Sequence, residues 1–441
     1  MNTLKRTIKG GILAMAAFLT ISTTNNTSIQ ALEAQDVDAK AVLVIEQSSG
    51  QILFQKNPDE VLKIASMSKM ATQYLVNEAV ANGETSWDAP VTISQRVMDT
   101  SANYELSNVP LRTNETYTVK ELYEAMSIFS ANGATIALAE HLAGTEDQWV
   151  ERIQAKLTSW GITDASFINA SGLPNQYGLS NKKTNLPDNA ENSMSARSVA
   201  ILARHLVTDY PDSLQVSSIA EKVFHPGTID ETLMTNYNLL VPGLLFGRQG
   251  VTGLKTGTTD DSGASVTTTA TENGMSVISV LIGASQSMAR FSETDKILDQ
   301  VFAAYELLPL VTANNSVKGV TPYPVVDGVD EYLSLNYGKD YQAVVPKGTA
   351  VSQISMTFTP NPELLNANNQ LKAPIAADQP VGTINIDVPG ENLGFLQAGE
   401  GNQVPALASF EIKEANILVK LFRSIQSFFK GIIGAISGIF G

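Results

Sequence analysis

Residues 264–285, ASVTTTATENGMSVISVLIGAS, hold two β-branched runs on either side of Asn273-Gly274. Asn-Gly adopts the positive φ angles of a two-residue hairpin turn with little strain, so this stretch predicts a tight antiparallel pair. A second hairpin is predicted near the start, where AVLVIEQ (41–47) and GQILFQK (50–56) flank a Ser-Ser-Gly turn. Between the two, apolar residues recur at three- and four-residue spacing from Ser66 to about Asn82, from Val119 to about Leu142 and from Ala196 to Val207. That period predicts helices, and the helices need a common sheet to cover. Hairpins near both ends with helices between them imply an α+β fold built on an antiparallel sheet flanked by helices. RFSETDKILDQVFAAYELL (290–308) predicts one more helix, closing a portion that spans 35–310. From 317 to 412 the pattern changes to short β-prone stretches broken by Pro, Gly and Asn, with no cluster of chemically active residues. This predicts a separate, small all-β domain.

The two ends speak to location. Lys5, Arg6 and Lys9 precede an apolar run from Gly11 to Ile21 and then a Ser/Thr/Asn-rich stretch, so residues 1–34 read as a secretory signal peptide. The apolar run is about half of the ~20 residues a spanning helix needs. At the other end, apolar residues from Ile417 to Phe440 recur at helical spacing, with Lys420, Arg423 and Lys430 on the opposite side. Residues 416–441 therefore predict an amphipathic helix that lies in a membrane surface and turns its cations to anionic head groups. The net charge of −15, without a basic stripe in the body of the chain, disfavours nucleic acid as a partner. Cysteine is absent, which removes disulfides, thiol catalysis and Cys-ligated metals together.

Neither a metal nor a cofactor is expected. His141, His205 and His225 occur in no HExxH or paired ligand spacing, and no G-x-S-x-G elbow exists. A nucleophilic serine without histidine needs another base, and a lysine kept neutral by burial and a neighbouring cation can serve. The stretch IASMSKMATQ (64–73) offers that pair: Ser66 and Lys69, three apart at the start of a predicted helix, share one face. The helix N-terminus adds backbone N–H donors near the attacking oxygen.

S-x-x-K alone is a weak signal, but it is followed in order by Ser130-Ala131-Asn132 and by Lys255-Thr256-Gly257-Thr258-Thr259. With FINASGLPN (167–175), NSMSARSVAILARHL (192–206), TNYNLL (235–240) and GASQSMARFSETDKILD (283–299), the set resembles the low-molecular-mass penicillin-binding proteins of the serine D-Ala-D-Ala carboxypeptidase type over roughly residues 40–305. The resemblance implies the penicillin-binding protein and β-lactamase fold, a peptidoglycan stem peptide ending in D-Ala-D-Ala as substrate, and β-lactams as covalent inhibitors. It further implies Ser66 as nucleophile, Lys69 as base, and Ser130 as the hydroxyl that passes a proton to the leaving amine. Asn132 would bond the substrate's amide backbone, while Lys255, Thr256 and Arg290 would hold its carboxylate. Gly257 would let the substrate approach the strand edge, and the N–H groups of Ser66 and Thr258 would form the oxyanion hole. Four positions depart from the family pattern without removing a catalytic group: Ala131, Gly133, Ser198 and Ser262. A transpeptidase, an endopeptidase or a β-lactamase on the same fold would use the same groups. The last is disfavoured by the β-rich region and the membrane-seeking tail. A non-catalytic cell-wall-binding protein would leave Ser66, Lys69, Ser130 and Lys255 unexplained.

Overall fold

The computed structural model describes residues 33–390, 393–423 and 425–426. Most of the expected leader and the end of the expected tail, 427–441, lie outside the described residues.

Both predicted hairpins form, and they join into one sheet. Ala41–Glu46 pairs with Ile52–Lys56 on one side and with Met275–Ala284 on the other, in antiparallel register from Ala41 opposite Ile282 to Glu46 opposite Val277. Gly263–Glu272 and Val251–Thr259 complete five strands, with Val251–Thr259 at the open edge. The Asn273-Gly274 turn has φ of 50° and 81°, as the hairpin requires. AVLVIEQ shows no alternation because both faces of its strand are covered: Leu43 and Ile45 pack into the helical core, Val42 and Val44 into a second cluster under Phe291, Leu298 and Val301.

Helices lie on both faces, as an α+β fold requires. Lys69–Ala81 is buried on nearly every side, from Lys69 through Asn77 without interruption, and so is the central helix of one layer. Val119–Ile128, Asn132–Ala143, Glu146–Ser159 and Ala196–Asp209 surround it. Ala289–Ala304 covers the opposite face. The continuous helical period over 119–142 is interrupted at Phe129–Ala131, where Ser130 takes φ of 56°.

The predicted last helix ends at Ala304. The chain continues directly into the strand Tyr305–Val311, which pairs with Tyr341–Pro346. The remaining strands to Gln403–Ala408 pack around an apolar cluster of their own that includes Leu333, Ile384, Val404 and Ile412. One segment of this β-rich portion returns to the helical layer: Leu396 is buried in its core, and Arg204 pairs with Glu400.

Candidate active site

The turn that carries Ser66 is held by two glycines. Ala65, a non-glycine residue with φ of 46°, opens a 3-10 turn, Ala65–Ser68, that runs straight into the central helix. Such a backbone costs on the order of 1–3 kcal/mol and persists only where the surroundings impose it. They do so here by close backbone approach. A Cβ on Gly172 would lie 1.9 Å from the Ala65 carbonyl oxygen, and one on Gly257 would lie 2.6 Å from that of Ile64. Ser66 is left half-buried on the cleft side of this turn, one helical turn before Lys69.

Lys69 is fully buried, and its Nζ has three acceptors: Ser66 Oγ at 2.8 Å, Asn132 Oδ1 at 2.8 Å and the Ser171 carbonyl at 2.7 Å. Burial, and behind it the charge of Lys255, hold the Lys69 ammonium well below the usual lysine range. Across the cleft Lys255, also buried, donates to Ser130 Oγ at 2.8 Å and to the Thr256 carbonyl at 3.0 Å. Burial first and the Arg290 charge second bring Lys255 down to about 7. Arg290, lowered to about 10 by burial, stays charged at neutral pH. It donates to Thr258 Oγ1 at 2.5 Å and to the Gly257 carbonyl at 3.1 Å, while its buried Nε has no partner among the described residues.

Ser66, Ser130, Thr256, Gly257, Thr258 and Arg290 line one cleft of about 500 Å³, with Ser107, Phe129, Asn236, Tyr237 and Met288 among its other walls. Two hydroxyls, each bonded to its own buried lysine, thus face a cavity whose far end is cationic. That arrangement suits attack on a carbonyl close to a carboxylate, with separate proton carriers for nucleophile and leaving group. Two of these residues also hold the protein's own structure. Both polar atoms of the Asn132 amide are engaged within the protein, Oδ1 by Lys69 and Nδ2 by the Ser107 carbonyl at 3.0 Å. Gly257 is required by the Ser66 turn that packs on it, before any substrate arrives.

The profile of D-alanyl-D-alanine carboxypeptidases matches residues 26–286. The chain belongs to this family. It is similar to D-alanyl-D-alanine carboxypeptidase DacF of Bacillus subtilis, 27% identical over 393 residues that cover 89% of this chain and 90% of that one. A solved peptidoglycan synthesis regulatory factor of Streptococcus pneumoniae is 32% identical with a TM-score of 0.71, covering 86% of this chain and all of its own. A penicillin-binding protein of Listeria monocytogenes, solved in an ampicillin-bound form, is 28% identical with a TM-score of 0.50, over 60% of this chain and 98% of its own.

Within this carboxypeptidase fold, several site residues escape a motif search. To Lys69, Ser171 offers only its carbonyl, which any residue type carries; the signal is Gly172 beside it, in one of the stretches that carry the resemblance. Thr235, Asn236 and Tyr237 wall the cleft from TNYNLL, and Ser287 and Met288 from the stretch before Arg290. Both stretches are among those that carry the resemblance, yet no elementary chemistry singles out these positions.

Proposed function

We propose that this chain is a serine-type carboxypeptidase that removes the terminal D-alanine from peptidoglycan stem peptides ending in D-Ala-D-Ala. One observation carries the reading: two buried lysines, each 2.8 Å from a different serine hydroxyl, flank one cleft. Neutral Lys69 takes the Ser66 proton as Oγ attacks the carbonyl between the two D-alanines. The N–H groups of Ser66 and Thr258 face the oxyanion. Ser130, held by Lys255, gives its proton to the leaving nitrogen and recovers one from Lys69, the C–N bond breaks and free D-alanine departs. Lys69, neutral again, takes a proton from the water that attacks the ester and returns it to Ser66 Oγ as the acyl–oxygen bond breaks. Lys255, Thr256, Thr258 and Arg290 supply the cationic, hydroxyl-rich end that suits the terminal carboxylate. A β-lactam offers the same carbonyl-to-carboxylate arrangement and acylates Ser66. The test is incubation with a bis-D-alanine peptide, following free D-alanine, and separately with labelled penicillin; a protein that neither releases D-alanine nor takes label is not this enzyme.

The enzyme works outside the cytoplasm, held at the membrane surface by 416–441. Among the described residues no helix is long and apolar enough to cross a membrane. The start of the tail is helical, and Ile417, Leu418, Leu421 and Phe422 are exposed. That apolar face supports the surface-lying helix. Its first two cations are engaged locally: Lys420 pairs with Asp327 and Glu414, and Arg423 with Glu331 and the Gly328 and Val329 carbonyls. They fasten the helix to the β-rich portion, so membrane attachment rests on apolar insertion more than on these charges. Deleting 416–441 is expected to release the protein from anionic vesicles while cleavage of soluble peptides persists.

A further inference from the structure

Glu146 is the first residue of the helix Glu146–Ser159, an ordinary place for an acid, yet it is buried. Its Oε1 accepts the Ala170 N–H at 2.9 Å, and its Oε2 accepts the Asn181 amide at 2.9 Å and pairs with Arg96. Arg96 is shared with Glu140, and the Asp147–Lys183 pair lies on the next residue. Ala170 precedes Ser171, whose carbonyl is the third acceptor of Lys69. The other side of this short segment is held by Asn169 Oδ1, which accepts the Gly172 N–H at 2.6 Å and the Ser171 N–H at 3.2 Å.

The consequence lies in the lone pair of a neutral lysine. An uncharged amine has two N–H bonds, and the Asn132 oxygen and the Ser171 carbonyl together take both. The lone pair then faces Ser66 Oγ, as a base must. Without the carbonyl the amine is free to rotate and donate to Ser66 instead, the wrong polarity for abstraction. We propose that Glu146 is a positioning residue for acylation: by fixing the Ala170 N–H it sets the Ser171 carbonyl and thereby the orientation of the Lys69 amine. This rests on the reading of Ser66 and Lys69 given above.

The test is the pH profile of acylation by a chromogenic β-lactam, with rates taken per titrated active site so that misfolded protein lowers the titre and not the profile. Glu146→Asp keeps the charge for Arg96 but withdraws the acceptor from Ala170; Glu146→Gln keeps an acceptor and drops the charge. For Glu146→Asp we expect a plateau about tenfold lower. Its acidic limb is expected to move down by about one pH unit, because the ammonium form of Lys69 loses an acceptor. Glu146→Gln is expected to return the limb to its wild-type position. Asn169→Ala, which loosens the same carbonyl from the other side, is expected to move the limb as Glu146→Asp does. A wild-type profile for both Glu146→Asp and Asn169→Ala, or a limb displaced more by Gln than by Asp, overturns the inference alone. Wild-type protein that takes no label overturns the active-site reading and the inference with it.

Discussion

Two interiors are joined in this chain. Among the described residues every buried charged, amide or aliphatic hydroxyl side chain lies between Glu46 and Thr294, whereas from Tyr305 onward the buried residues are apolar or glycine except Tyr337, whose hydroxyl is bonded to Lys318 N–H and Met356 Sδ. Burying a polar group is unfavourable unless a partner is supplied, so the first interior is expensive to assemble and tolerant only of matched changes. The second follows the simpler rule of one apolar face per strand, as in Val381, Ile384 and Ile386 against Val404, Ala406 and Ala408. The difference teaches where such chemistry can sit: the polar interior supplies desolvated lysines, and the apolar one holds none among the described residues.

Five substitutions bear on that contrast, beginning with the one of largest expected effect. Ser66→Ala is expected to abolish penicillin labelling and to lower D-alanine release by more than about 10⁴-fold, with folding intact by circular dichroism. An adduct found by mass spectrometry on Ser68 or Ser130 in the wild type would move the nucleophile. Lys69→Arg is next, at about 10³-fold in acylation, since a guanidinium gives up no proton at accessible pH. Lys255→Arg retains its charge and should lose about tenfold. Equal losses in the two arginine variants would remove the separate roles. In the wild type the rate rises as Lys69 loses its proton and falls as Lys255 loses its own, so the basic limb of kcat/KM should lie near 7. A bound carboxylate favours the charged lysine, and the limb of kcat should therefore lie at higher pH.

Gly257→Ala drives a methyl group against the Ile64 carbonyl and is expected to cost about 1–3 kcal/mol and about 10²-fold in acylation. Thermal unfolding and label kinetics on the same sample check both. Ile384→Ala, deep in the second interior, should cost about 2–5 kcal/mol in denaturant titration yet leave the acylation rate within about twofold. A large loss of acylation in that variant would erase the boundary between the two interiors.

The periodic parts of this architecture are legible because each is a local pattern. The two hairpins and the helices beginning near Ser66 and Ala196 follow from turn chemistry and spacing alone. The break at Ser130 is not legible, because Ile128, Ala131 and Ala134 keep helical spacing across it and only the observed φ reveals the bend. The helix continuing to Leu308 fails for a related reason: YELLP reads as helix by its leucines, but Tyr305–Val311 finds a strand partner some forty residues onward at Tyr341–Pro346. At the site, Ser66 and Lys69 can be found because a serine without histidine needs a base within reach, whereas S-A-N and K-T-G-T-T are found through the resemblance to the family. Glu146 and the Ser171 carbonyl cannot, since an acid at a helix start looks ordinary and its contact with Ala170 is tertiary.

The order of strands in the five-stranded sheet also sets a clock. Ala41 is hydrogen-bond partner to a strand that contains Ile282, so the middle of the sheet is missing until nearly all of the catalytic portion has been synthesised. At about 5–20 residues per second a ribosome needs roughly 12–50 seconds to travel from one strand to the other. During that interval Ala41–Glu46 has only its short hairpin neighbour, and a two-stranded ribbon is marginal in water. The Ser66 turn, which packs on Gly257 in Val251–Thr259, likewise cannot be completed until that edge strand has been made.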